Sequence, residues 1–267
     1  MHLPYTRRHI MSYVFFDIDN TLISHKPKPH IPPETLEAVN LLRKSGHTPA
    51  IATGRAAFLT MTTANAFGID HLVCAGGSEI FTAGTKIHTA YFPDKYLDSF
   101  RETASRFPDI TAAVDDQYLY ADNDFASFRE YFNSQAGYDC FRPLHELKHA
   151  TMCYIMRPHR MLNQSHGLFF TPPDGVRLEI MHGFTEARHS DSTKWHGIEL
   201  MIHSLGANLS DVITFGDGPN DSDMLKNAAL GVAVGTCSQE AREAADYVCE
   251  DIDDGGILKA CKHLGLI

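Results

Sequence analysis

Four short apolar runs, each cut off by Gly, Asp or Thr, constrain this chain more than any other feature. Tyr13–Phe16 stops at Asp17, Pro49–Ala52 at Thr53-Gly54-Arg55, Val212–Phe215 at Gly216-Asp217-Gly218, and Leu230–Val234 at Gly235. Unbroken apolar runs of this length suit strands buried on both faces, as in a parallel sheet. Helical patterns lie between them. Pro33–Ser45 places Leu36, Val39 and Leu42 on one face, opens with prolines and an acid, and stops at Gly46. Ser222–Ala229 and Ser238–Ala245 read as further helices. Strands alternating with helices predict an α/β fold, a doubly wound, Rossmann-like parallel sheet.

Residues 78–182 follow another pattern. Glu79–Phe81 and Lys86–His88 flank Ala83-Gly84-Thr85 as a hairpin, and Gln117–Ala121, Thr151–Met156 and Val176–Met181 read as strands, with a turn at Pro172-Pro173-Asp174-Gly175. The expected organisation is a core formed by residues 1–77 and 183–267, interrupted by an α+β domain over 78–182. The chain carries 23 Lys+Arg against 33 Asp+Glu. The inserted stretch, with ten basic and fourteen acidic residues, contributes −4 of the net −10. Neither part is basic, which argues against nucleic acid as a partner. No apolar run approaches the ~20 residues that span a bilayer, so no membrane partner is expected. Six cysteines lie scattered without CxxC spacing and read as reduced thiols of a cytoplasmic protein. An acidic chain that binds an anion must concentrate positive charge locally, through a metal or a few placed Lys and Arg.

The chemistry gathers at the ends of the apolar runs. In Phe16-Asp17-Ile18-Asp19-Asn20-Thr21-Leu22, Asp17 and Asp19 are two apart at a strand's carboxyl end, so both carboxylates enter one crevice. They would repel unless a cation stood between them or one stayed protonated. Gly216-Asp217-Gly218-Pro219-Asn220-Asp221 adds two carboxylates at a second strand end. Thr53-Gly54-Arg55 adds a hydroxyl, backbone N–H groups and a guanidinium at a third. An all-oxygen cluster favours a hard cation, and Mg²⁺ is the expected cofactor. Two other patterns are set aside. His145-Glu146-Leu147-Lys148-His149 matches HExxH, but Pro143 and the following strand leave only a short helix. Asp251–Gly256 lacks the terminal glutamate of a calcium loop and reads as a turn before a helix.

Together these motifs resemble the haloacid-dehalogenase-like hydrolases, specifically Cof-type phosphatases of subfamily IIB. Asp17-Ile18-Asp19-Asn20-Thr21 resembles the first motif (DxDxT), Thr53 the second, Lys194 in Ser192–Ile198 the third, and Gly216–Asp221 the fourth. The resemblance implies that Asp17 is the nucleophile and Asp19 the acid–base group. It implies that Thr53, Gly54, Lys194 and Asn220 hold phosphate, with Arg55 on phosphate or substrate. Mg²⁺ would be held by the Asp17 side chain, the Asp19 backbone carbonyl and Asp217, with Asp221 in support. Thr21 to Thr53 is 53 − 21 = 32 positions, whereas Thr53 to Lys194 is 194 − 53 = 141. The extra domain therefore follows the second motif, where this branch carries the cap that selects small phosphorylated metabolites, often sugar phosphates. The implied activity is that of a phosphatase. A phosphomutase sharing the intermediate is the alternative, and a phosphate-sensing receiver is disfavoured by the second carboxylate. Asn20 stands where a glycine is usual, and Cys74-Ala75-Gly76-Gly77 where relatives carry Asn-Gly-Ala.

Overall fold

A computed structural model describes residues 11–106, 111–121, 126–156, 175–181 and 184–267. The turn expected at Pro172–Gly175 therefore falls, save for its last residue, outside the described residues. The four apolar runs are strands β1 (Tyr13–Phe16), β2 (Thr48–Ala52), β12 (Val212–Gly216) and β13 (Leu230–Val234). β1 is central, parallel to β2 on one side and to β12 on the other, with Phe16 level with both Ile51 and Phe215. Alternation explains why each run is apolar throughout. Val14, Phe16, Ile51, Ile213 and Phe215 face one core cluster, while Phe15, Ala50, Ala52 and Val212 face the other. The first cluster is closed by α1 (Pro33–Lys44), α2 (Ala57–Phe67) and α8 (Gly256–His263). The second is closed by α5 (Lys194–Ser204) and α6 (Ser222–Asn227).

β3 (Leu72–Cys74) and β14 (Tyr247–Cys249) extend the parallel sheet at its two sides. Beyond β3 the hairpin of β4 (Glu79–Thr82) and β5 (Thr85–Thr89) adds two antiparallel strands, giving the order β14-β13-β12-β1-β2-β3-β4-β5. A second, six-stranded sheet has the order β10-β11-β9-β6-β7-β8, built from β6 (Thr111–Val114), β7 (Leu119–Tyr120), β8 (Phe141–Arg142), β9 (Met152–Met156), β10 (Val176–Met181) and β11 (Phe184–His189). It is antiparallel except at β7–β8. One cluster of buried residues joins it to α3 (Asp94–Arg106) through Tyr96, Leu97 and Phe100. Another packs Ala112, Val114, Leu119 and Met152 against Ala56, Phe58, Leu59 and Ala75 of the first unit. α4 (Ala126–Ala136) sits beside α2, whose Thr62 hydroxyl donates to the Gln135 carbonyl at 2.6 Å.

The hairpin of residues 79–89, placed with the insertion by sequence, pairs with β3 in the larger sheet. Residues 184–189, placed with the core, pair with β9 and β10 in the smaller one. A hairpin's residues encode its turn but not the sheet edge it joins, so local pattern could not fix this. The HExxH stretch forms only a single 3-10 turn at Leu144–Glu146, and the His149 ring lies tilted against Tyr91, centroids 5.1 Å apart. Its two histidines do not share a helix face. At Asp251–Gly256 a short turn does lead into α8.

Candidate active site

Three strand ends meet at one edge because β1, β2 and β12 are parallel and in register. Asp17 N–H continues the ladder, donating to the Phe215 carbonyl at 2.9 Å, and Thr53 N–H donates to the Val73 carbonyl at 2.8 Å. Asp17, Thr53 and Asp217 therefore leave the sheet within one residue of the same level. The turn after β1 relies on Asn20 in a left-handed conformation, φ 56°, which Asn tolerates better than most residues. At the fourth motif, a Cβ on Gly216 would come within 2.5 Å of the Asp221 carboxyl carbon, so a larger residue would displace Asp221.

Lys194 is the first residue of α5, whose N-cap Thr193 accepts from His196 N–H at 3.1 Å. Its Nζ donates to Asp17 Oδ1 at 2.7 Å and to Asp221 Oδ1 at 2.5 Å, and the side chain is 1% exposed. Burial works against its charge, but Asp17 and Asp221 outweigh burial and hold it protonated. The other Asp221 oxygen accepts from the backbone N–H groups of Asp217 and Gly218 at 3.0 and 2.9 Å. Asp221 is thus fully engaged in positioning Lys194 and the β12 turn.

Asp17, Asp217 and Asp221 bring carboxylate oxygens within 4.8 Å of one another. Three carboxylates against one lysine leave −3 + 1 = −2. The strain shows in the carboxyls themselves. Burial, with Asp221, Asp217 and Asp19 adding and Lys194 opposing, pushes Asp17 well up, and burial followed by Asp221 pushes Asp217 up to about 6. The donor set, all oxygen and two charges short of neutrality, fits a divalent cation of the hard class.

Asp19 is handled differently. Burial would raise its pKa, but His25 Nε2 at 2.7 Å, Arg55 Nε at 3.0 Å and Arg55 Nη2 at 2.5 Å hold it well below the usual carboxylate range. His25 is raised in turn, chiefly by that bond to Asp19. Arg55, expected on phosphate or substrate, is here occupied by Asp19 and by Gln135 Oε1 of α4 at 2.9 Å. A phosphate would have to draw it away from Asp19.

A cavity of about 690 Å³ opens over these groups. Asp17, Asp19, Thr53, Gly54, Arg55, Asp217 and Asn220 line it, while Lys194 and Asp221 lie buried beneath and reach it through Asp17. All nine residues named from sequence are thus brought to one place. His25, Gln135, Glu186 and Arg188 were not foreseen. They reach the site from a loop, from α4 and from β11, and carry no local motif that would have flagged them.

A family profile described as haloacid dehalogenase-like hydrolase matches residues 14–261. The Bacillus subtilis protein YkrA, named as a candidate phosphatase, is 26% identical over 95% of this chain and 98% of its own. A hypothetical protein from Geobacillus kaustophilus HTA426 superposes with a TM-score of 0.79 at 27% identity, covering 96% of this chain and all of that one. The subclass IIB sugar phosphatase BT4131 superposes with the same TM-score at 25% identity, covering 96% of this chain and all of its own. Phosphatases of this family use a divalent metal ion, and the acidic cluster at Asp17, Asp217 and Asp221 fits one. With its motifs at the strand ends of a parallel sheet, the chain belongs to the haloacid dehalogenase-like hydrolases, within their Cof-type phosphatase branch.

Proposed function

We propose that the protein is a Mg²⁺-dependent phosphatase of small phosphorylated metabolites, sugar phosphates among them, acting through an aspartyl-phosphate on Asp17. The observation that carries this reading is the contact of buried Lys194 with Asp17, beside a second carboxylate two residues on. Lys194 holds one Asp17 oxygen, fixing the carboxylate as an oriented nucleophile. Thr53, the Gly54 N–H and Asn220 surround the place where phosphate oxygens would sit. The similarity to a sugar phosphatase over almost the whole chain supports the substrate class. Mg²⁺, held by the Asp17 side chain, the Asp19 carbonyl and Asp217, would offset the charge of phosphate and carboxylates.

In the first half-reaction an Asp17 oxygen attacks phosphorus and the bond from phosphorus to the leaving oxygen breaks. Asp19 gives that oxygen its proton, so an alcohol departs. In the second, Asp19 takes a proton from water, the hydroxide attacks phosphorus, and the bond to Asp17 breaks to release inorganic phosphate. His25 and Arg55 together set the state of Asp19. While both grip the carboxylate, Asp19 stays an anion; a bound phosphate dianion competes for the Arg55 guanidinium and weakens that hold, which favours a proton on Asp19.

The test is rapid acid quench with labelled p-nitrophenyl phosphate, whose leaving group needs no proton. Asp17→Asn should leave no phosphate on the protein. Asp19→Asn should label, then release the label more slowly than wild type, having lost a group worth typically ~10²–10⁴-fold. Labelling of Asp17→Asn at the wild-type rate would refute the covalent mechanism.

A further inference from the structure

We propose that Glu186 and Arg188 of β11 form the pair that selects the leaving group, by reading a hydroxyl next to the phosphoester. This assignment rests on the phosphatase reading above. The two residues are two apart on a strand, so both side chains project from the same face, and both line the cavity. Arg188 is 3% exposed. Its Nη2 contacts Glu186 and lies 2.9 Å from Glu179 Oε2, and Glu179 is also paired with Arg177 at 3.0 Å. Among the described residues, Arg188 Nε is buried with no hydrogen-bond partner.

The guanidinium occupies a notch in the larger unit. Gly76 has φ +60°, and a Cβ there would fall 1.9 Å from Arg188 Nη1, so any side chain at this position would expel it. A Cβ on Gly54 would lie 3.7 Å from Arg188 Nη2 and 3.6 Å from Asn220 Nδ2. Arg188 thus stands beside the proposed phosphate loop. The cation against the nucleophile is nevertheless Lys194, and the charges that act most on Arg188 are Glu186 and Glu179 of its own sheet. Arg188 is therefore placed for the atoms adjoining the phosphoryl group.

Charge decides which atoms. Two arginines and two glutamates cancel, so the group offers no net attraction to a second anion. It offers a donor and an acceptor side by side, which a hydroxyl satisfies at once. The rest of this wall, Leu59, Leu119, Phe132 and Tyr154, is apolar or aromatic and suits the carbon face of the same leaving group. A substrate lacking the hydroxyl leaves buried polar groups unmatched, and sites of this kind discriminate strongly.

Glycerol 1-phosphate and propyl phosphate share a primary alkoxide leaving group and differ in their hydroxyls; acetyl phosphate presents no hydroxyl to either. Wild type should favour glycerol 1-phosphate over propyl phosphate by at least about tenfold in kcat/KM. In the double variant E186Q/R188Q, where Glu179 keeps Arg177, that preference should fall below about threefold while acetyl phosphate is still hydrolysed. Circular dichroism confirms that the variant is folded, and R188K should restore an intermediate preference. No preference in wild type, or an undiminished one in the double variant, overturns the assignment. So does a loss on acetyl phosphate as deep as that on glycerol 1-phosphate, which would place Arg188 in the phosphoryl machinery. A wild type inactive on all three phosphorylated compounds would instead overturn the phosphatase reading, and this pair's role with it.

Discussion

The two ends of the cavity are built on opposite plans. At the end formed by the parallel sheet, charged groups stand at consecutive strand termini, and of three clustered carboxylates two are bonded to one lysine. At the end formed by the second sheet, the wall is apolar and aromatic apart from one compensated ion-pair group. The first end keeps its charge out of balance, which suits binding a cation and a phosphate. The second end is balanced within itself, which suits choosing among neutral organic groups. Lesions at the first should therefore damage turnover of every substrate, and lesions at the second should change ratios between substrates.

The largest effect is expected at Lys194. Lys194→Met leaves Asp17 and Asp221 buried without their cation, so stability should fall by about 3–5 kcal/mol, measured by urea denaturation, and turnover should fall for all esters alike. Adding Asp221→Asn should recover part of the stability and none of the activity. A Lys194→Met protein that kept its denaturation midpoint would break the picture of an unbalanced end.

Next comes the acidity of Asp217. Its folded pKa, about 6, stands above the ordinary 3.8, so without metal the folded state holds the proton more tightly than the unfolded chain. The stability this contributes is complete below about pH 4 and lost as pH rises through about 6. The Tm of metal-free wild type, taken relative to Asp217→Asn, should therefore drop over that window by about a few °C. Mg²⁺ should raise Tm more at pH 7 than at pH 4.5, because only the ionised carboxylate is a good ligand. Equal stabilisation at both values would count against Asp217 as a ligand.

The smallest effect tests the link between the two ends. Gln135 of α4 accepts from Arg55, which also holds Asp19. Gln135→Ala should lower kcat/KM about two- to tenfold, the cost of one hydrogen bond to a charged group, and shift the acidic limb of the kcat/KM profile. A loss without any change in the pH profile would reduce Gln135 to a packing contact.

What the sequence disclosed followed from short-range rules. The runs before Asp17, Thr53 and Asp217 read as buried strands because both faces of each strand are covered, leaving no polar alternation to confuse the pattern. α1 was legible from its single apolar stripe. α2, running AFLTMTTANAF, was not, because apolar Met61 and Ala66 stand on its exposed face while Thr60 and Thr63 are buried, so its residue types show no stripe. β3, three residues long, is too short to carry a period.

The sequence by itself disclosed the parallel sheet and the four motifs, and strand register explains why the ends of β1, β2 and β12, which carry Asp17, Thr53 and Asp217, fall into line. Only the tertiary structure decided which sheet the hairpin of residues 79–89 joins, that Asp19 is gripped by His25 and Arg55, and that Arg188 reaches Gly76 from β11. The contacts of Asp19 with Arg55 and of Arg188 with Gly76 join residues 55 − 19 = 36 and 188 − 76 = 112 positions apart, whereas the hairpin folds back on the strand just before it and His25 depends on how one loop turns. A local pattern sets the backbone of each segment, but the partner of a buried charge is chosen by whichever distant segment the packing brings against it.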